Sequence, residues 1–69
     1  MRSYLYHIIS EETEDSFGET DNLEEAIRMA RSAASAGQAG EQISIEHKGF
    51  IIRHLVRQED GTVVEEEIR

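Results

Sequence analysis

Apolar and polar residues follow three successive patterns along the chain, and the first pattern predicts strands. Residues Tyr4 to Ile9 are rich in aromatic and β-branched side chains, which is typical of a strand. The polar residues 10–16 then predict a turn. Phe17 is the only large apolar residue between Ile9 and Leu23, so we interpret Ser16–Glu19 as a short returning strand, with a loop pinned by one ring as the alternative.

The second pattern predicts a helix from about Leu23 to Ala36, ended by Gly37. Asn22 can accept a hydrogen bond from the backbone of Glu25, and the Glu25 side chain can reach back to Asn22, as in a capping box. Apolar residues recur at three- and four-residue spacing and form one stripe: Leu23, Ala26, Ile27, Ala30, Ala33 and Ala34. Because most of this stripe is alanine, the helix backbone can lie close to the surface that it covers.

The third pattern, from Gln42 to Arg69, predicts three antiparallel strands joined by two turns. A two-residue turn at Lys48-Gly49 pairs the strands on either side of it. A three-residue loop, Glu59-Asp60-Gly61, places a glycine at the left-handed position that such a loop needs. This second loop aligns His54 with Glu66, which predicts a cross-strand polar pair.

Uninterrupted pairing after the first turn divides the side chains between a core face and an outer face. Ile43, Ile45, Phe50 and Ile52 share the face that the helix should cover, together with His54 and Val56. On the outer face, apolar residues lie among charges of both signs, which predicts a partner-binding surface formed by Ile51, Arg53, Leu55, Arg57, Val63 and Glu65. The alternative is that single exposed apolar residues are an ordinary feature of a sheet surface.

These elements predict one α+β domain over residues 1–69. It contains a four- or five-stranded, mainly antiparallel sheet with one helix packed on one face, in the order β-(β)-α-β-β-β. The strand order is open, although a helical connection from the first strand to Gln42 favours a parallel arrangement of those two strands. A chain of 69 residues buries a small core, and without Cys it has no disulfide to stabilise it, so we expect a homodimer. We also expect a cytoplasmic location and no membrane segment.

The acidic residues are concentrated in one part of the chain. Ser3 to Ile27 holds eight of the fifteen acids and no Lys or Arg, and it accounts for the formal net charge of −8. A concentrated negative field selects partners by sign. It therefore supports a second hypothesis, an acidic inhibitor or antitoxin-like protein that binds a basic, nucleic-acid-binding site of a partner protein through Glu11, Glu12, Glu14 and Asp15. The local alternative is that these acids solvate a turn and stabilise the start of the helix.

Residues that could support catalysis or metal binding are sparse. His47 and His54 are expected about 13 Å apart along the sheet, which is too far to share a metal ion. No hydroxyl is expected beside a base, as nucleophilic catalysis requires, so we expect no enzyme and no cofactor. Direct nucleic-acid binding is disfavoured because it depends on clustered Lys and Arg. We expect a small non-catalytic protein-interaction module that self-associates through the outer face or a strand edge.

One segment resembles a known family. Glu19-Thr20-Asp21-Asn22-Leu23-Glu24-Glu25-Ala26-Ile27, following a strand, is similar to the strand-to-helix passage of HicB-type antitoxins and of small bacterial domains with a β-α-β-β layout. The Pro- and Gly-containing segment that precedes the helix in those antitoxins is missing, so their function is not transferred to this chain.

Overall fold

The computed structural model describes residues 4–68. Ser3, the first residue of the acidic stretch, and Arg69, the last residue of the third segment, lie outside this range. It contains five strands and one helix: β1 (Tyr6–Ser10), β2 (Ser16–Thr20), α1 (Leu23–Ala36), β3 (Gln42–His47), β4 (Phe50–Arg57) and β5 (Val63–Glu67). The strands form one sheet in the order β2-β1-β3-β4-β5, and neighbouring strands are antiparallel throughout. The predicted α+β fold and the short strand after the first turn are confirmed. Within the described range, no helix is long and apolar enough to span a membrane.

The predicted parallel arrangement of β1 and β3 is wrong. β1 lies between β2 and β3 and is antiparallel to both. The chain reverses direction in the β1–β2 hairpin before the helix begins, so the helical connection runs from β2 to β3. Those two strands do run in the same direction, but they flank β1 rather than pairing with each other.

The helix begins and ends where the sequence predicts, from Leu23 to Ala36. The Asn22 side chain accepts a hydrogen bond from the backbone N–H of Glu25 at 3.0 Å, as predicted. The Glu25 carboxylate, however, accepts from the hydroxyl of Thr20 at 2.7 Å, and the Thr20 hydroxyl in turn accepts from the backbone N–H of Asn22. A threonine at the end of β2 thus supplies the second half of the cap, and it ties the helix start to the sheet.

Both predicted turns are confirmed. Lys48 and Gly49 have φ angles of 54° and 82°, the pair of positive values that a two-residue hairpin turn of this hand requires. In the second hairpin, the backbone N–H of Gln58 donates to the carbonyl of Thr62, which leaves a three-residue loop with Gly61 at a φ of 93°. This loop produces the predicted register between β4 and β5, with His54 opposite Glu66.

A β-bulge near the start of β4 reverses the predicted faces of β4 and β5. Glu46 lies opposite Ile51 and Ile45 lies opposite Arg53, which leaves Ile52 as an extra residue in β4. Because side chains alternate along a strand with a period of two, one extra residue moves every later side chain to the other face. Leu55, predicted on the outer face, is therefore fully buried in the core.

The core is formed between three strands and one face of the helix. Its fully buried residues are Ile8 of β1, Ile43 and Ile45 of β3, Leu55 of β4, and Ala26, Ala30 and Ala34 of α1. The predicted alanine stripe thus faces the sheet. Contact is also close at Gly18 of β2, where a Cβ atom would lie 2.7 Å from the terminal methyl of Met29. The helix consequently packs closely over the centre of the sheet.

Candidate protein-interaction surface

No helix or strand that the structure describes packs on the side of the sheet opposite α1. We call this surface the open face. Alternate residues of the five strands form it, as the strand registers show: His7, Ile9, Ser16, Glu19, Gln42, Ser44, Glu46, Ile51, His54, Val56, Val64 and Glu66. Several of its apolar side chains are accessible to solvent, including Ile51 at 43% and Val64 at 53%. The open face is therefore a surface on which a partner could pack against the sheet.

Two arginines, Arg31 and Arg53, are paired with glutamates on the helix side of the sheet. Arg53 lies 3.6 Å from Glu65 and 3.6 Å from Glu67, and Arg31 of the helix donates to Glu65 at 2.8 Å. A helix about 10 Å across cannot cover five strands spaced about 4.8 Å apart. These ion pairs, carried on long aliphatic stems, cover the part of β5 that the helix does not reach.

The open face carries no Lys or Arg among its residues, whereas it carries several carboxylates. Glu19, Glu46 and Glu66 belong to its strands. The Glu11 carboxylate adds a fourth, because it lies against Ser44 and His54 of this face. When its two histidines are neutral, this surface is uniformly negative, which distinguishes it from the mixed-charge surface that the sequence predicted.

A polar cluster crosses the middle of the open face and anchors the start of the loop between β1 and β2, residues 11–15, which we call the acidic loop. The His54 Nε2 atom lies 2.7 Å from a Glu11 carboxylate oxygen and 3.2 Å from the side-chain oxygen of Gln42. The Ser44 hydroxyl donates a short hydrogen bond to Glu11. The predicted partner Glu66 lies farther away, with 3.9 Å between its carboxylate and His54 Nδ1. Sequence reasoning missed Glu11 because its proximity to His54 depends on the pairing of β1 with β3.

The other two histidines occupy separate environments. His7 lies on the open face, where its Nδ1 atom is 3.1 Å from a Glu19 carboxylate oxygen. His47 lies on the opposite side at the end of β3 and stacks on the Tyr6 ring, with centroids 4.0 Å apart. The prediction that His54 shares the core face with His47 is wrong, because the bulge in β4 moves His54 to the open face. Within residues 4–68, no three or more His, Asp or Glu side chains are placed to hold a metal ion.

The apolar residues of the open face form two patches, one on each side of the polar cluster. Val56 and Val64 are directly opposite each other on β4 and β5 and form one patch. Ile9 and Ile51 line a depression of about 380 Å³ that also contacts Ser44, Glu46 and the start of the acidic loop at Glu11 and Glu14. This depression combines an apolar floor with carboxylates at its rim.

The acidic loop connects β1 to β2 at one end of the open face. The backbone N–H of Ser10 donates to the carbonyl of Asp15, and the N–H of Glu14 donates to the carbonyl of Ser10, so the chain makes a tight turn. Glu12, Glu14 and Asp15 are exposed, while Glu11 is held by the polar cluster. The predicted acidic contact residues are thus brought together beside the depression.

The structure does not bring together the six residues predicted to bind a partner on the outer face. Of that set, only Ile51 lies on the open face. The other five lie on the helix side of β4 and β5: Arg53, Leu55, Arg57, Val63 and Glu65. This outcome depends on the bulge at Ile52, which regular alternation along β4 does not predict.

The Ser44 hydroxyl on the open face donates to the Glu11 carboxylate rather than to an imidazole, and Ser44 is 3% exposed. Comparisons with known proteins find no family model, curated protein or solved structure that matches this chain. The conclusions about function therefore rest on the chain's own geometry.

Proposed function

We propose that this chain is a small non-catalytic protein-interaction module that binds a partner protein through the open face. The observation that carries the proposal is the uncovered side of the sheet, where Ile51 and Val64 are exposed on either side of a polar cluster. Apolar patches bordered by polar groups are typical of protein-binding surfaces.

The charge of the open face defines the partner. The surface combines apolar patches with carboxylates and has no Lys or Arg of its own, so its complement is a surface with apolar centres and basic surroundings. Two copies of the open face would place carboxylates against carboxylates, which opposes self-association through this surface. The acidic-inhibitor hypothesis gains support from the same observation, with the acidic loop at Glu14 bordering the surface.

Site-specific photo-crosslinking in the cells that produce the protein tests this proposal. A crosslinking residue placed at Val64 or Ile51 should form a discrete adduct with a second protein. The same residue at Ser35, which is exposed on the helix and points away from the sheet, is the matched control and should form none. Adducts at Ser35 with none at either open-face position would refute the proposal.

A second candidate is self-association through the edge strand β2, which retains the predicted homodimer. The two edges of the sheet differ in charge: β5 carries Glu65, Glu66 and Glu67 in succession, whereas Glu19 is the only charged residue of β2 and is paired with His7. Rows of charge at an edge prevent pairing with another strand. The β2 edge lacks this protection, and Phe17 beside it is 45% exposed.

Solution mass by light scattering tests the β2 edge. The wild type at high concentration should be a dimer, Phe17→Lys should convert it to a folded monomer, and Val64→Lys on the other edge strand should leave the dimer intact. A wild-type monomer at all concentrations would exclude this candidate without affecting the proposal for the open face.

A further inference from the structure

We propose that the depression between Ile9 and Ile51 is an anchor site for one Arg or Lys side chain of the partner. This inference rests on the proposed function and specifies the chemistry of the partner at one point of the open face. The occupant is defined as a cationic head on an aliphatic stem, because the depression offers a separate complement to each part.

The first complement is the Glu46 carboxylate. Glu46 is half-buried, and neither a hydrogen bond nor an ion pair engages its carboxylate anywhere in residues 4–68. On its own face it lies directly opposite His7 on one side and Ile51 on the other. His7 is engaged with Glu19 at 3.1 Å. Because no internal partner competes for it, this carboxylate is available to a cation that arrives with the ligand.

The second complement is the apolar floor. Ile9 and Ile51 line the same depression as Glu46, with Glu11 and Glu14 at its rim. The stem of Lys or Arg packs on apolar surface while its head remains among polar groups. A bare cation would gain nothing from Ile9 and Ile51, and a purely apolar side chain would leave Glu46 unpaired. The combination therefore favours the two amphipathic cationic side chains over either alternative.

The depression is also open on the side from which a partner would approach. Ile51 is 43% exposed, and the depression lies on the uncovered side of the sheet. Glu11 is held in place by Ser44 and His54, so the rim nearest the centre is already ordered before binding. Because these groups are arranged in advance, binding one side chain costs little reorganisation of the protein.

The test is a titration of the full chain, followed by amide chemical shifts, with four small probes at pH 8, where an ordinary imidazole is neutral. The probes are the N-acetyl amides of arginine, lysine and norleucine, and the free guanidinium ion. The arginine and lysine amides should shift the amides of Ile9, Glu46 and Ile51 with dissociation constants in the millimolar range. Norleucine amide, which has the stem without the charge, and guanidinium, which has the charge without the stem, should bind at least about fivefold more weakly.

Two variants locate the binding. Glu46→Gln keeps the shape of the side chain and should weaken binding of the arginine amide by about fivefold or more. Glu24→Gln, on the exposed first turn of the helix, makes the same change of net charge away from the depression and should leave binding unchanged. If Ile51→Ser also weakens binding of the arginine amide, while the spectrum remains that of the folded protein, both complements are established.

The opposite results would overturn the inference. Equal binding of norleucine and arginine amides would exclude the carboxylate contribution, and equal binding of guanidinium and arginine amide would reduce the site to unspecific attraction of cations. No shifts at Ile9, Glu46 and Ile51 with any probe, or unchanged affinity in Glu46→Gln, would exclude the anchor. Adducts from a crosslinker at Val64 would then show that the open face still binds a protein, so failure of the anchor is distinguishable from failure of the proposed function.

Discussion

Charged side chains are paired differently on the two faces of the sheet. On the helix side, Arg31 and Arg53 are paired with Glu65, and these ion pairs cover the part of β5 that the helix does not reach. On the open face, carboxylates lie beside histidines or, at Glu46, beside no partner at all within the described residues. Charges that complete a fold are neutralised inside the chain, whereas charges that remain uncompensated on an accessible surface are available to a second molecule.

The largest expected effect is a difference in the loss of stability between two adjacent residues, one on the buried face and one on the open face. Leu55→Ala removes a fully buried side chain from the core and should lower the free energy of unfolding by about 2–5 kcal/mol. A domain of this size rarely has more than about 3–5 kcal/mol of stability, so much of the variant should be unfolded. Val56→Ala, on the open face, should cost less than about 1 kcal/mol. Urea denaturation of both variants measures the difference.

Equal losses of stability at Leu55 and Val56 would contradict the assignment of the two faces. Leu55→Glu should unfold the chain, because its carboxylate would be buried in the apolar core.

The next largest effect concerns removal of one charge from each face. Arg53→Met keeps the aliphatic stem but leaves Glu65 and Glu67 with less compensation, and it should cost about 1–2 kcal/mol. Glu46→Gln removes a carboxylate that lacks an internal partner, so it should leave stability unchanged within about 0.5 kcal/mol or raise it. Thermal denaturation of the two variants gives the sign of each change. A loss in Glu46→Gln as large as that in Arg53→Met would show that Glu46 serves the fold rather than a partner.

A smaller effect distinguishes two neighbouring acids of the loop at the edge of the open face. Glu11 is held by Ser44 and His54, so Glu11→Gln should cost about 0.5–1 kcal/mol at pH 5.5. Glu12 is exposed, and Glu12→Gln should change stability by less than about 0.5 kcal/mol. Chemical denaturation at that pH provides the comparison, and similar values for the two variants would be inconsistent with an anchored Glu11.

The smallest effect lies outside both faces, in the turn between β4 and β5. The hydroxyl of Thr62 donates to the Asp60 carboxylate at 2.7 Å, and its backbone N–H donates at 3.0 Å, so the pKa of Asp60 is held below its usual value. Because the folded state favours the carboxylate, this contribution to stability is present above the unfolded pKa and is lost as the pH falls through the folded pKa. Thr62→Val should raise the pKa of Asp60 toward its usual value, as measured by an NMR titration.

The control for that titration is Thr13→Val, which removes a hydroxyl from the β1–β2 loop near the opposite edge of the sheet and should leave the pKa of Asp60 unchanged. An unchanged pKa in Thr62→Val would show that the backbone N–H alone is responsible. The effect of this turn on the pKa of Asp60 is a local contribution, with which the larger differences in stability between the two faces can be compared.

Much of the fold could be predicted because its signals are local. The helix bounds follow from the Asn22 cap and the alanine stripe, and both late hairpins follow from glycines in turns that require positive φ angles. The register of β4 with β5 follows from the second turn alone, since a three-residue loop admits one alignment. Each of these features depends on interactions within a few residues of the chain.

The faces could not be predicted because a single extra residue decides them. Regular pairing would bury His54 and expose Leu55, whereas the bulge at Ile52 buries Leu55 and places His54 beside Glu11. The bulge also turns Arg53 toward the helix side, a cost that is offset by its pairing with Glu65 and Glu67. That balance involves residues on three strands and the helix, so it is visible only after the strands are assembled.

The sequence by itself determined the element order, the helix, the turns and the register of β4 with β5, since hydrogen bonds and torsional preferences over short distances specify them. Tertiary structure decided the position of β1 between β2 and β3 and, through the bulge, which side of β4 and β5 meets the helix. The physical reason is that burial of apolar area is a property of the whole sheet. The candidate surface depends on this second kind of information: the acidic loop was evident in the sequence, but its place beside Ile9, Glu46 and Ile51 was not.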